Sequence, residues 1–275
     1  MLKTRIITAI VLAAGFSLAL FKTSNEVWAF ITLTATLIAI WEWTNLIKLS
    51  KFHTLLTLVI SLAIGLMMRF SSDIPYGQYI DNLEFSLLCI SAMFWLCLIP
   101  FWLISRKKVN NKLVMATLGL LLLFATWVAL NGLQQISPWL LLAVLATVWL
   151  ADSAAYFAGK RFGRHKLAPE ISPGKTWEGV AGAILASTLY GLALCYFLHI
   201  SRWLIVGLWL IVVLSIMGDL FESLLKRQAG KKDSSHLLPG HGGVLDRIDG
   251  LISTLPLVLF YIYFPVFANL QLHVR

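Results

Sequence analysis

Charge is what this sequence has least of. Only 13% of its 275 residues are Asp, Glu, Lys or Arg, against about 25% in soluble domains, which excludes an ordinary water-facing fold. Acids are scarcer than bases, 13 against 22. Cysteine is nearly missing: Cys89, Cys97 and Cys195 stand alone inside apolar runs, with no metal-ligand spacing, and read as packing residues. There is no repeat with a period of 20–50 residues and no low-complexity tract, and no stretch reads as a soluble domain. The alternating ten-residue pattern of a membrane barrel strand is absent as well.

What fills the chain instead is hydrocarbon, 59% of residues, with a mean hydropathy of +0.82. Crossing about 30 Å of lipid takes roughly 20 apolar residues as a helix, and helix is required because lipid cannot satisfy backbone polar groups. The expectation is an all-α integral membrane protein of about nine spans, near 6–21, 27–47, 54–70, 83–104, 113–131, 138–158, 177–199, 203–221 and 250–270. The sixth and eighth each end in an acid, Asp152 and Asp219. Lys3 and Arg5 precede an apolar run that is long for a secretory signal, so the first span is expected to stay uncleaved. With the N-terminus inside, all 22 lysines and arginines except Lys22, Arg69, Arg202 and Arg275 fall on the inner side. That bias predicts a cytoplasmic N-terminus and one strongly basic face.

Polarity is distributed unevenly. Residues 1–135 read as scaffold with short loops and a possible dimerisation face, and 136–275 as the catalytic region with a polar cavity. Three inner-side clusters stand out. In the first, Asp152, Tyr156 and Lys160 share a helix face. An acid inside a span normally faces a cavity or a partner, so Asp152 either lines a polar cavity with Tyr156 or pairs with Lys160 or Arg161. The second is Ser172-Pro173-Gly174-Lys175-Thr176-Trp177-Glu178-Gly179. It is no P-loop, since Pro169 stands where the motif needs glycine and no strand is expected before it. It reads as a helix start with Ser172 or Thr176 as cap and Lys175 as a phosphate contact or a topology charge.

The third cluster runs from Asp219 to Gly250. Asp219, Glu222, Ser223 and Lys226 lie at helical spacing on one face, and Asp246 and Asp249 lie one turn apart. Gly242 and Gly243 offer a backbone that can approach a ligand closely. Asp219, Asp246 and Asp249 could hold magnesium together with substrate phosphate oxygens if their helices converge; the alternative is a set of internal salt bridges with Lys226, Arg227 and Arg247. His241 lacks a second histidine at ligand spacing, so zinc is not expected, and His236 reads as a loop residue.

The residues from Ser223-Leu-Leu-Lys226-Arg227 through Lys232-Asp233 to Pro239-Gly240-His241-Gly242-Gly243-Val-Leu-Asp246-Arg247-Ile-Asp249 closely resemble the pattern of phosphatidate cytidylyltransferases, the CDP-diacylglycerol synthases. The segments around Ser172 and Asp152 are similar to that family too, whereas the N-terminal 130 residues match in general character only. The resemblance implies CTP and phosphatidic acid as substrates, and CDP-diacylglycerol and pyrophosphate as products. It also implies a dimeric helical membrane fold with a paired cation site, Mg2+ and a second ion, K+ being a candidate. Metal ligands would be Asp219 and Asp246, with Asp249 close by, and Asp219, Lys226, Asp246 and Arg247 would be catalytic. Phosphates would be held by Lys175, Ser223, Lys226, Arg227, Lys232, His241, Gly242, Gly243 and Arg247. The expected setting is the inner (cytoplasmic) membrane with the site facing the cytoplasm, membrane lipids as surroundings, a homodimer as assembly and no nucleic-acid partner.

The chemistry of the residues agrees with that reading. A phosphate oxygen is already ionised at neutral pH, so attack needs no general base, and no convincing Ser/His/Asp or Cys/His arrangement is present. The barrier is electrostatic and is met by cations and basic clamps. A CDP-alcohol phosphotransferase is excluded, because Asp249-Gly250 is followed by Leu-Ile-Ser-Thr and not by that family's Ala-Arg spacing. A CTP-dependent polyprenol kinase shares the nucleotide logic. A transporter would spread its acids through several spans at mid-depth, and the acids here gather at one side.

Overall fold

The computed structural model describes residues 13–70, 77–237 and 242–264. Its helices are α1 (Ala13–Lys22), α2 (Asn25–Leu46), α3 (Lys51–Arg69), α4 (Gly77–Met93), α5 (Ile99–Ser105), α6 (Lys112–Ile136), α7 (Pro138–Phe162), α8 (Trp177–Leu198), α9 (Trp203–Ala229) and α10 (Leu245–Tyr263). One π-helical turn, Phe94–Leu98, joins α4 to α5. Pro100 has no N–H to give to Leu96, so the ladder slips by one residue and the Ile99 N–H bonds Phe94 O instead.

Seven helical units among the described residues are long and apolar enough to cross a membrane: α2, α3, the continuous stretch Asp81–Ser105, α6, α7, α8 and α9. The chain is an all-α membrane protein, with one small hairpin among the described residues. The first expected span lies partly outside the described residues. The last falls on α10, whose opening turns carry Asp246, Arg247 and Asp249 before an apolar run. Two spans are longer than expected: α7 runs on to Phe162 and α9 to Ala229. Asp152 and Asp219 therefore sit well inside helices instead of at their ends.

The hairpin corrects the expectation that no strand accompanies Gly174-Lys175-Thr176. Strand β1 (Lys166–Ala168) pairs antiparallel with β2 (Ser172–Thr176), Lys166 opposite Thr176 and Ala168 opposite Ser172. Of the two proposed caps, Thr176 does the capping: its Oγ1 accepts the Gly179 N–H at 3.1 Å. Ser172 lies in the strand.

The core forms around α6, which packs against α2, α4, α7 and α10, with Leu122, Leu123, Leu133, Leu141 and Leu145 fully buried. Under the polar end of α9, Phe221 is enclosed by Trp43, Phe94, Trp95 and Trp102, with ring centroids 5.4–6.1 Å away. This cage ties α9 to α2 and to the π turn. On another face, α9 meets α10 almost backbone to backbone at Gly218, where an added Cβ would collide with Asp249 O and Ser253 Oγ. Ser253 Oγ donates across the gap to Leu214 O at 2.7 Å. Glycine at 218 is thus what lets the helices bearing Asp219 and Asp249 close together. Gly218→Val should destabilise the protein by about 1–3 kcal/mol through overpacking, whereas Gly207→Val, on the same helix but facing open space, should not. Thermal unfolding of both variants in detergent measures the difference.

Candidate functional site

Lys175 is positioned by the hairpin, which is fastened at three points. At its base, Glu178 accepts the His165 backbone N–H (3.2 Å to Oε1) and contacts His165 Nδ1 at 2.7 Å. At its tip, Glu170 pairs with Arg106. On its inner side, buried Ile171 packs on Leu220 and Leu224 of α9, and its carbonyl oxygen accepts from Arg227 Nε at 3.4 Å. Small residues bring α8 against α7, since a Cβ on Gly182 would meet that of Ala158 and one on Gly179 would meet Ala155 O. Held this way, Lys175 Nζ reaches Asp219 Oδ2 at 2.6 Å.

Around that pair lie more acids. Asp152 on α7 is exposed, and interacts electrostatically with Lys175 and Asp219. Asp249 feels Asp219, Asp152 and Lys175. Ser223 Oγ donates to Asp219 Oδ1 at 3.2 Å. Lys160 lies over the ring of exposed Tyr156, 5.6 Å from its centroid, while Asp152 faces the acids of α9 and α10.

A second group adjoins the first. Lys226 pairs with Glu222 one turn earlier and with Asp246 Oδ1 of α10 at 2.6 Å. All three side chains are nearly buried, with 12%, 3% and 6% of their surface exposed. Two carboxyl groups share this one ammonium, and Glu222 also interacts electrostatically with Asp249. Asp246 Oδ2 accepts three further bonds, from Gly243 N (2.8 Å), Ser234 N (2.9 Å) and Ser234 Oγ (2.8 Å). Ser234 and Gly243, which flank the undescribed part of the loop before α10, are thus both bonded to this carboxylate.

The structure thus brings Asp152, Lys175, Asp219, Glu222, Ser223, Lys226, Asp246 and Asp249 into two touching clusters. Other candidate residues lie further out: Lys232 and Arg247 are exposed, and Arg227 is turned to the hairpin and to Lys231 O. His241 lies outside the described residues. Gly242 has φ +79°, a conformation glycine adopts freely. At Gly243 the close approach is to the protein itself, because a Cβ would strike Ser234 Oγ and Glu42 Oε1.

Glu42 is the residue that sequence reading passed over. It is fully buried near the end of α2, across the division drawn at residue 135, and its carboxylate faces the loop before α10. The available signal was plain: an acid within an apolar span is a functional or structural anchor by default. Ser234 and Ser235, its partners, carried no signal of their own.

Chemically, five carboxylates (Asp152, Asp219, Glu222, Asp246, Asp249) face two ammonium groups, Lys175 and Lys226. Such surplus oxygen charge suits a hard cation. Among the described residues no three of Asp, Glu, His or Cys are gathered closely enough to hold a metal ion by themselves.

The model of the Cytidylyltransferase family matches residues 3–265 of the chain. The phosphatidate cytidylyltransferase of Haemophilus influenzae is 36% identical over 296 positions, spanning 96% of this chain and 99% of that protein. That of Pseudomonas aeruginosa is 36% identical over 265 positions, spanning 93% and 95%. The Staphylococcus aureus protein of the same name is 34% identical over 266 positions, spanning 94% and 97%.

Removing the cation of a buried ion set leaves its acids uncompensated, which costs about 3–5 kcal/mol. Lys226→Met should therefore lower the thermal midpoint sharply, and adding Glu222→Gln should recover part of the loss. Thermal unfolding of the single and double variants tests this.

Proposed function

The chain belongs to the cytidylyltransferase family, and from that membership we propose that it transfers the cytidylyl group of CTP to phosphatidic acid. The products are CDP-diacylglycerol, which stays in the membrane, and pyrophosphate. The observation that carries the reading is the gathering of Lys175, Asp219, Lys226, Asp246 and Asp249 from β2, α9 and α10 at one end of the bundle.

The reaction needs two anionic partners brought together in line. A phosphate oxygen of the lipid forms a bond to the α-phosphorus of CTP as the bond from that phosphorus to the β-phosphate oxygen breaks. The attacking oxygen is ionised, so no side chain has to remove a proton. Lys175 leaves Asp219 to take a phosphate, and Arg227, Lys232 and Arg247 draw the triphosphate from the water side. Ser223, Gly242 and His241 complete the phosphate contacts, whereas Gly243, expected to join them, gives its N–H to Asp246 instead. Lys226, held between Glu222 and Asp246, keeps α9 and α10 in register and lends positive charge to the site. Asp152 and Tyr156 line the cavity on the α7 side.

Asp219, Asp246 and Asp249 would hold magnesium, with a second cation such as potassium beside it, as the surplus of carboxylate charge favours. Bound there, the cations offset the charge of CTP and of the departing pyrophosphate. The basic-residue bias supports nine spans with the N-terminus and the site on the cytoplasmic side of the inner membrane. CTP is soluble and the acyl chains stay in lipid, which also favours that placement. The family resemblance supports a homodimer.

Detergent-solubilised protein supplied with radiolabelled CTP, phosphatidic acid and magnesium should form a labelled lipid, and added pyrophosphate should reverse its formation. Absence of the labelled lipid overturns the proposal. In folded protein, Asp219→Asn and Asp246→Asn should each lower turnover by about 100-fold or more, and near-wild-type rates for both would remove the metal assignment.

A further inference from the structure

We infer that Glu42, on the α2 helix of the N-terminal half, is a positioning residue for the transfer site: it caps α10 from outside and sets the place of Asp246. The inference rests on the cytidylyltransferase reading and deepens it.

Helix α10 begins without a cap of its own. Its N-cap residue is Val244, which makes no side-chain cap bond, yet the first N–H groups of a helix have no partner within it and are costly to bury unpaired. Glu42 supplies that partner from another helix. Its Oε1 accepts the Val244 N–H at 3.0 Å and its Oε2 accepts the Leu245 N–H at 2.6 Å. Negative charge at this end of a helix also complements the helix dipole. Leu245 and Glu42 are both fully buried, so water does not compete for these bonds.

The same carboxylate holds the other strand of the loop. Ser235 Oγ donates to Glu42 Oε1 at 2.5 Å, and Ser234 Oγ lies 3.1 Å from Oε2. Ser234 Oγ lies as well 2.8 Å from Asp246 Oδ2. Its single proton serves one carboxylate at a time, so the hydroxyl is a bridge between Glu42 and Asp246. The space is tight enough to forbid any side chain at 243, where a Cβ would overlap both Ser234 Oγ and Glu42 Oε1. One buried acid in the scaffold thereby fixes residues 234, 235, 244 and 245, and through them the carboxylate that takes Lys226.

Glutamine at 42 keeps the shape but places an NH2 against N–H donors that need an acceptor. In full-length Glu42→Gln protein in detergent, hydrogen exchange should rise at residues 234–247 while the rest of α10, α6 and α9 keeps its protection. kcat for lipid formation should fall about 10- to 100-fold, the range for losing an outer contact that orients a site group, with the KM for phosphatidic acid little changed. Because Glu42 and Ser234 act on the same carboxylate, the losses in the Glu42→Gln/Ser234→Ala double variant should be smaller than the product of the two single losses, whereas independent structural losses would multiply.

Should Glu42→Gln fail to fold, Ser235→Ala removes one of the four bonds and should give the same local exchange pattern with a smaller fall in kcat. Unchanged exchange at 234–247, near-wild-type kcat or multiplicative losses in the double variant each overturn the inference. If the wild-type protein forms no labelled lipid, the functional reading fails instead, and the exchange pattern still decides whether Glu42 pins the loop.

Discussion

The arrangement depends on Lys226 lying between Glu222 and Asp246. Gathering acids at a membrane protein's polar end is unfavourable unless each finds a cation or hydrogen bonds, because their mutual repulsion is poorly screened there. Lys226 joins an acid of its own helix to one of α10. It does so about two turns beyond Gly218, where the backbones of α9 and α10 nearly touch. The close approach and the ion set together define how the two helices diverge. Asp219, Asp249 and the loop before α10 take their places from that divergence.

Around this frame the remaining charges fall into a graded order. The nearly buried set of Lys226, Glu222 and Asp246 is internally bonded. The half-buried pair of Lys175 and Asp219 is more open, with 23% and 33% of the side chains exposed. Lys232 and Arg247 are exposed to solvent. A highly charged ligand approaching from water therefore meets exposed bases before it meets the more buried acids. The aromatic cage about Phe221 lies beneath the ion set and gives it a stiff floor.

Much of this was legible in the residues themselves. The apolar runs locate the helices, and the spacing of Asp219, Glu222, Ser223 and Lys226 puts them on one face, as α9 shows. Their closeness to Asp249 and Asp246 was visible only as a condition, that two helices converge; the glycine that permits it, Gly218, has no local signature. Thr176 as a cap followed from residue type and position, but the hairpin before it did not, since Pro173 and Gly174 lower the local preference for strand and pairing with Lys166–Ala168 overrides it. Glu42 was missed for a related reason. Its partners lie almost two hundred positions away, and an isolated acid declares that it has a partner without naming it.

One connection has a mechanical meaning. No residue intervenes between β2 and α8: Thr176 ends the strand and caps the helix with its own hydroxyl, and Lys175 is the residue before it. The lysine thus sits at the short arm of a lever whose long arm is a helix of 22 residues. No flexible linker separates the first turn of α8 from the ammonium group that faces Asp219, so the placing of that helix against α7 is also the placing of the charge.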